Sequence, residues 1–200
     1  MTMFWNRISG IYDFVENTFN GKVNRDIAQY VANLMTKNDN VLECACGTGM
    51  FSLPVAKRCK RLTATDFADK MLRQAQKKCK DLSNVIFELA DITRLNYQDE
   101  SFDKVVAANV IHLLDNPSAA MSELMRVCKK GGLIIVPTYI NESTKTASAA
   151  AKFFNMLGAN FKREFCRESY QEFFKEMGYD ASEYYVAEGR MPCCAAIIKK

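Results

Sequence analysis

Apolar positions recur along this chain in two periods. From residue 41 onward, short apolar runs of strand length alternate with longer stretches of helical spacing. Residues 3–36 come first and read as helical, with Phe4, Trp5, Ile8, Ile11, Tyr12, Val15 and Phe19 on one face and Gly10 and Gly21 punctuating the run. Val41-Leu42 then leads into Glu43, the small residues Cys44-Ala45-Cys46 and Gly47-Thr48-Gly49. A helix-compatible stretch follows from Phe51, with Pro54 near its start, where a missing N–H costs little. The pattern continues as strand 62–66, helix 69–80 (Met71, Leu72, Ala75 and Cys79 inward), strand 85–90, strand 103–108, helix 117–129 and strand 133–138. Asn116-Pro117 supplies an N-cap and a first-position proline, and Gly131-Gly132 is expected to stop that helix and launch the next strand. Strands alternating with helices predict a parallel sheet with right-handed crossovers.

Beyond Pro137 the pattern changes. Residues 143–157 read as helical, Ala-rich and then carrying Phe153, Phe154, Met156 and Leu157, with a break at Gly158. Ser169-x-x-Glu172 reads as a capping box opening helix 170–177, which Gly178 closes. Tyr179–Val186 and Met191–Ile198 are two strands separated by Glu188-Gly189-Arg190, a hairpin. No internal repeat and no interdomain linker is visible, so residues 1–200 are expected to form one domain.

The candidate chemistry sits at the first strand's end. Gly47-Thr48-Gly49-Met50-Phe51-Ser52 comes within one residue of the G-x-G-x-x-G dinucleotide pattern. Charge discriminates better. Glu43 ends the first strand, Asp66 the second and Asp91 follows the third, so a parallel sheet collects all three acids along one edge. A carboxylate there repels a pyrophosphate and favours a cation with ribose hydroxyls. S-adenosylmethionine carries a sulfonium, an ammonium and a ribose diol, without phosphate, and fits better. Each acid taken alone would read as a helix cap or a solvated loop residue. Asp103, at the opposite end of its strand, reads as structural.

The series Glu43-x-Ala45-x-Gly47-x-Gly49, Asp66, Asp91-Ile92, Phe102-Asp103-Lys104-Val105-Val106 and Lys129-Lys130-Gly131-Gly132 resembles the class I S-adenosylmethionine-dependent methyltransferases, most nearly the branch of ubiquinone/menaquinone C-methyltransferases and other small-molecule enzymes. The likeness covers roughly residues 10–138. It implies an α/β, Rossmann-like seven-stranded sheet of order 3-2-1-4-5-7-6, helices on both faces and a C-terminal antiparallel hairpin. It further implies that Glu43 lies near the methionine ammonium and that the Ala45 carbonyl, at a position more often glycine, receives it. Gly47 and Gly49 would let the backbone curve around the ligand. Asp66 would accept the ribose hydroxyls, Phe67 and Met71 would flank the adenine, Asp91 would take its amino group, the Ile92 N–H a ring nitrogen, and the Asn109 carbonyl the ammonium. Residues 1–36, with Tyr12, would form a helical lid over the cofactor, and 139–168 would cover the pocket. His112, the one histidine, is a candidate base, with packing beside Leu113 and Leu114 as the competing reading, and Tyr139 after the fifth strand is a second candidate.

Composition narrows the partners. Two hundred residues with 48% apolar and 25% charged side chains suit one ordinary globular domain. The net charge of +4 is scattered over helix faces, with no basic-aromatic surface for nucleic acid. No apolar run approaches the ~20 residues that span a bilayer, and no signal-peptide pattern opens the chain. Eight cysteines contain no C-x-x-C pair, so no metal is expected and the thiols read as reduced and buried in a cytoplasmic protein. The aromatic N-terminus with Phe153, Phe154 and Phe161 points to an apolar or aromatic small acceptor, handled by a monomer or homodimer. A nicotinamide-dinucleotide oxidoreductase and a catalytically silent cofactor-binding protein are the alternatives.

Overall fold

The computed structural model describes residues 5–6, 9–10, 12–141 and 162–200, with only the backbone for 12–17, 19 and 182. Its strands are β1 (Asn40–Cys44), β2 (Arg61–Asp66), β3 (Val85–Leu89), β4 (Phe102–Ala107), β5 (Cys128–Tyr139), β6 (Ala181–Ala187) and β7 (Cys193–Lys199). They form one sheet in the order β3-β2-β1-β4-β5-β7-β6. Strands β1 to β5 pair in parallel, and β7 pairs antiparallel with both β5 and β6. The helices are α1 (Tyr12–Asn33), α2 (Ser52–Ala56), α3 (Asp69–Lys78), α4 (Pro117–Val127) and α5 (Arg167–Glu176). The expected α/β architecture, strand order and terminal hairpin are therefore present. The expected helix at 143–157, with Phe153, Phe154, Met156 and Leu157, lies outside the described residues, as do Phe4, Ile8, Ile11 and Phe161 and the side chains of Tyr12, Val15 and Phe19.

The sheet is buried on both faces. On one, Ile27 and Val31 of α1, Val55 of α2 and Ala75 of α3 pack on Leu62, Ala64, Val106 and Ile135. On the other, Met121 and Leu124 of α4 and Tyr170 and Phe174 of α5 pack on Leu42, Val105, Ile134 and Val136. Side chains alternate across a strand, so adjacent Cys193 and Cys194 fall into opposite clusters. The apolar residues of the two clusters are the strand and helix faces that the period pattern selects.

Local chemistry moved three boundaries. α4 ends at Val127, two residues before the expected stop, because Cys128 turns extended and pairs with Phe102. The Gly131-Gly132 pair thus lies inside β5, where the β4–β5 register shifts. A Cβ on Gly132 would stand 2.5 Å from the Asp103 carbonyl oxygen, so Gly132→Ala is expected to lower stability by about 1–3 kcal/mol, read as a fall in the urea midpoint at unchanged slope. The capping box of α5 is Cys166 with Ser169, not Ser169 with Glu172. The Cys166 N–H donates to Ser169 Oγ at 2.9 Å and the Ser169 N–H reaches Cys166 Sγ at 3.5 Å. A thiol substitutes for the usual hydroxyl, which hides the motif from a Ser/Thr pattern.

α1 is broken at Asn20 (φ −143°), whose amide donates to the Met191 carbonyl at 2.7 Å and ties the helix to the β6–β7 turn. Farther along α1, Tyr30 stacks on Tyr185 of β6 with centroids 3.7 Å apart.

Candidate functional site

The register fixes where the chemistry emerges. Cys44 lies opposite Thr65 and Ala107, and Asp66 opposite Leu89, so the residues that follow all leave the sheet along one carboxyl edge. A cavity of about 420 Å³ opens there. That lies within the ~300–1,000 Å³ usual for small-molecule sites. Its floor is the turn after β1 and its flanks are the segments after β2, β3 and β4.

The turn is held by main-chain bonds and one carboxylate. The Cys46 N–H donates to the Thr65 carbonyl at 2.8 Å and the Gly49 N–H to the Cys46 carbonyl at 2.9 Å. Asp66 Oδ2 accepts the Gly47 N–H and Oδ1 the Ala68 N–H, both at 2.8 Å. Gly47 (φ +55°) has nothing within 4 Å of a would-be Cβ, so a side chain there would project into open space. Gly49 (φ +84°) is different, because a Cβ would meet Ala75 at 3.0 Å and push α3 off the turn. Ala45 and Asn109 also adopt left-handed φ, +54° and +51°, at the ends of neighbouring strands. Left-handed conformations in residues with a Cβ cost about 1–2 kcal/mol, and the fold holds two of them facing one cavity.

The cavity is acidic. Asp66, Asp91 and Asp115 are on its walls, and no lysine, arginine or histidine is among the described residues that line it. Asp91 Oδ1 accepts the Thr93 N–H at 2.8 Å and its hydroxyl at 2.7 Å, and Asp115 pairs with Lys162 at 2.7 Å. Burial raises the Asp66 carboxyl, opposed by the N–H groups of Ala68, Gly47 and Phe67. Glu43 lies behind the turn, 1% exposed, with neither carboxyl oxygen hydrogen-bonded. Burial pushes its pKa up to about 8; the nearby Ser52 hydroxyl opposes the rise without closing a hydrogen bond, Asp66 adds to it and Lys78 opposes it.

Of the residues chosen from the sequence, the structure gathers Ala45, Gly47, Asp66, Phe67, Met71, Asp91, Ile92 and Asn109 around this one cavity. Glu43 and Gly49 stand behind its floor. His112 and Tyr139 do not line it. His112 is buried with Nδ1 2.8 Å from Thr138 Oγ1, and burial lowers its pKa to about 4, so it is neutral at pH 7. The Tyr139 hydroxyl donates to Asn24 Oδ1 at 2.8 Å and links β5 to α1. Tyr12 lies in the first turn of α1, its side chain outside the described residues. The walls also include Trp5, Met50, Val110, Leu113 and Leu114. Only Trp5 had a signal in the sequence, as part of an apolar stripe; Met50 comes from the turn after β1, and Val110, Leu113 and Leu114 depend on how the turn at Ile111–Leu113 faces.

All eight cysteines are free and seven are buried. Among the described residues, no group of three or more His, Cys, Asp or Glu is arranged to hold a metal, and no helix is long and apolar enough to cross a membrane.

Comparison with known proteins bears on this cavity. The family described as "Methyltransferase domain" matches residues 42–136, from β1 into β5. The chain is 34% identical over 155 residues to a phosphatidylethanolamine N-methyltransferase of Cereibacter sphaeroides, covering 74% of each. It is 30% identical over 174 residues to a ubiquinone/menaquinone biosynthesis C-methyltransferase of Bdellovibrio bacteriovorus, covering 76% of this chain and 74% of the relative. A crystal structure of an S-adenosylmethionine-dependent methyltransferase from Thermotoga maritima superposes over 100% of both chains with a TM-score of 0.76 at 21% identity, which is a likeness of fold.

Proposed function

The chain belongs to the class I S-adenosylmethionine-dependent methyltransferases, and we propose that it methylates a small, apolar or aromatic acceptor by direct in-line displacement. One observation carries the reading: the cavity's charged walls are carboxylates and the rest is mostly apolar, including Trp5, Met50, Phe51, Val110, Leu113 and Leu114. A dinucleotide would bring a pyrophosphate against these acids, and Ser52 stands where its third glycine belongs. That reading is set aside with the catalytically silent one.

The residues fit the cofactor on physical grounds. A Cβ on Gly47 would project into the space that the turn leaves open, and buried Asn109 Oδ1 has no protein partner. Asp66 would take the ribose hydroxyls with the lone pairs that Gly47 and Ala68 leave free, since a carboxylate accepts about four hydrogen bonds. Phe67 and Met71 would flank the adenine, and Asp91 and the Ile92 N–H would read its edge. The Ala45 and Asn109 carbonyls would receive the ammonium, with Glu43 near it behind the turn and Tyr12 adding to the cover. When bound, S-adenosylmethionine supplies an electrophilic methyl group. The chain's own contribution is to orient the acceptor in line and exclude water, which can account for most of the acceleration.

The N-terminal 1–36 and segment 139–168 are read as covers on a single domain. Trp5 on the wall supports the first. The described ends of the second are strapped beside the cavity: Lys162 and Arg163 donate to the His112 carbonyl, and the Asn141 N–H donates to that of Phe165 at 2.7 Å. The seven buried free thiols suit a reducing, cytoplasmic compartment, and the chain is read as a monomer or homodimer.

The relatives' names include both N- and C-methylation, so the test is a panel. Labelled-methyl transfer should appear with at least one apolar or aromatic small molecule among phosphatidylethanolamine, quinone precursors and aromatic amines or phenols. Transfer confined to protein or RNA would overturn the acceptor class.

A further inference from the structure

Helix α3 begins without a cap of its own. Its N-cap residue is Ala68, extended and fully buried, with no side-chain oxygen to offer. A capping side chain there would accept the N–H of the second or third helical residue. The Lys70 N–H, the second of α3, is instead taken at 3.0 Å by Asn6 Oδ1, from 64 residues upstream. Asn6 is itself held in a turn, where the Ser9 N–H donates to the Trp5 carbonyl at 3.1 Å and the Ser9 hydroxyl to the Asn6 carbonyl at 3.2 Å. The neighbouring Trp5 packs on Ala68 and Met71 and forms part of the cavity wall. Cap and wall are thus two consecutive residues of one strap.

We propose that Asn6 is a positioning residue for the cofactor: by capping α3 from the N-terminal segment it fixes Trp5 against Met71 and seals the Phe67–Met71 end of the cavity around the bound nucleoside. This rests on the cavity being the S-adenosylmethionine site. The start of α3 is anchored from two sides, by Asp66 through the Ala68 N–H and by Asn6 through the Lys70 N–H. Only the second anchor comes from outside the sheet and its adjoining turns. Losing it leaves Asp66 and the glycine turn in place and frees the tryptophan. The ligand then leaves faster while the rest of the site keeps its geometry.

Trp5 is the single tryptophan of the chain, so its fluorescence reports this wall without labelling. The experiment measures S-adenosylhomocysteine affinity by calorimetry and its dissociation by stopped-flow fluorescence, on the full chain. Asn6→Ala should weaken affinity about fivefold, mainly through faster dissociation, as expected for loss of one exposed cap. Asn6→Asp keeps an acceptor oxygen and should restore the parent values. Trp5→Leu, followed by calorimetry, should weaken affinity in the same direction. Parent-like affinity and dissociation in Asn6→Ala would overturn the proposal, as would a lower melting temperature with affinity unchanged, the mark of a purely structural cap. A parent protein that binds no S-adenosylhomocysteine would overturn the cofactor reading, and this role with it.

Discussion

Asp66→Ala is expected to weaken S-adenosylhomocysteine binding by about 100- to 1,000-fold, measured by calorimetry. The carboxylate sits at the end of β2, 5% exposed, and each oxygen already accepts one backbone N–H at 2.8 Å. Hydrogen bonds to a charged group contribute about 1.5–3 kcal/mol each. The substitution removes the proposed acceptor for the ribose hydroxyls, and it also releases Gly47 from the turn that forms the cavity floor. Asp66→Asn keeps one oxygen and should lie between the two, because its amide cannot accept the N–H that its nitrogen then faces. Parent-like affinity in Asp66→Ala would show that the carboxylate serves the turn alone.

Glu43→Gln should stabilise the cofactor-free protein at neutral pH. The glutamate is buried without a hydrogen-bond partner, and burial holds its pKa near 8 against 4.5 for the free side chain. Below about pH 4.5 both folded and unfolded chains carry the proton, and Glu43 costs nothing by this route. As pH rises from 4.5 towards 8 the unfolded chain ionises and the folded one does not, so stability falls across that window and levels off above it. At pH 7 the loss is roughly 3 kcal/mol, equivalent to roughly 6–12 °C in Tm for a chain of this size. A glutamine has no such dependence, so the variant should melt higher at pH 7 and show a flatter Tm between pH 5 and 8. If Glu43 also supports the ammonium, the same variant binds S-adenosylhomocysteine more weakly, an exchange of function for stability at a strained site. A Tm below that of the parent at pH 7 would contradict the protonated, unpartnered state.

Much of this site can be read in the residues because the sheet does the assembling. Gly47, Asp66, Asp91 and Asn109 are far apart in sequence, yet each ends or follows a strand, and parallel pairing delivers them to one edge. Period and punctuation suffice for that. What they do not carry is side-chain direction. Glu43 follows the strand pattern as the others do, but the turn folds over it and leaves it behind the floor. His112 and Tyr139 follow β4 and end β5 in sequence, and both turn into side-chain hydrogen bonds away from the cavity, with Thr138 and Asn24. Leu113 and Leu114 reach the wall through a single 3₁₀ turn that no periodicity marks. The cap of α3 by Asn6 is a contact across 64 residues, invisible to any local motif.

An acid-lined cavity should accept a cationic nucleoside and refuse a diphosphate. The direct measurement is thermal unfolding of the full chain with S-adenosylhomocysteine or NADH, each at saturating concentration. S-adenosylhomocysteine should raise Tm by several degrees, about 3 kcal/mol of stabilisation at 100 times Kd, and NADH should leave it unchanged. A shift with NADH and none with S-adenosylhomocysteine would contradict the account.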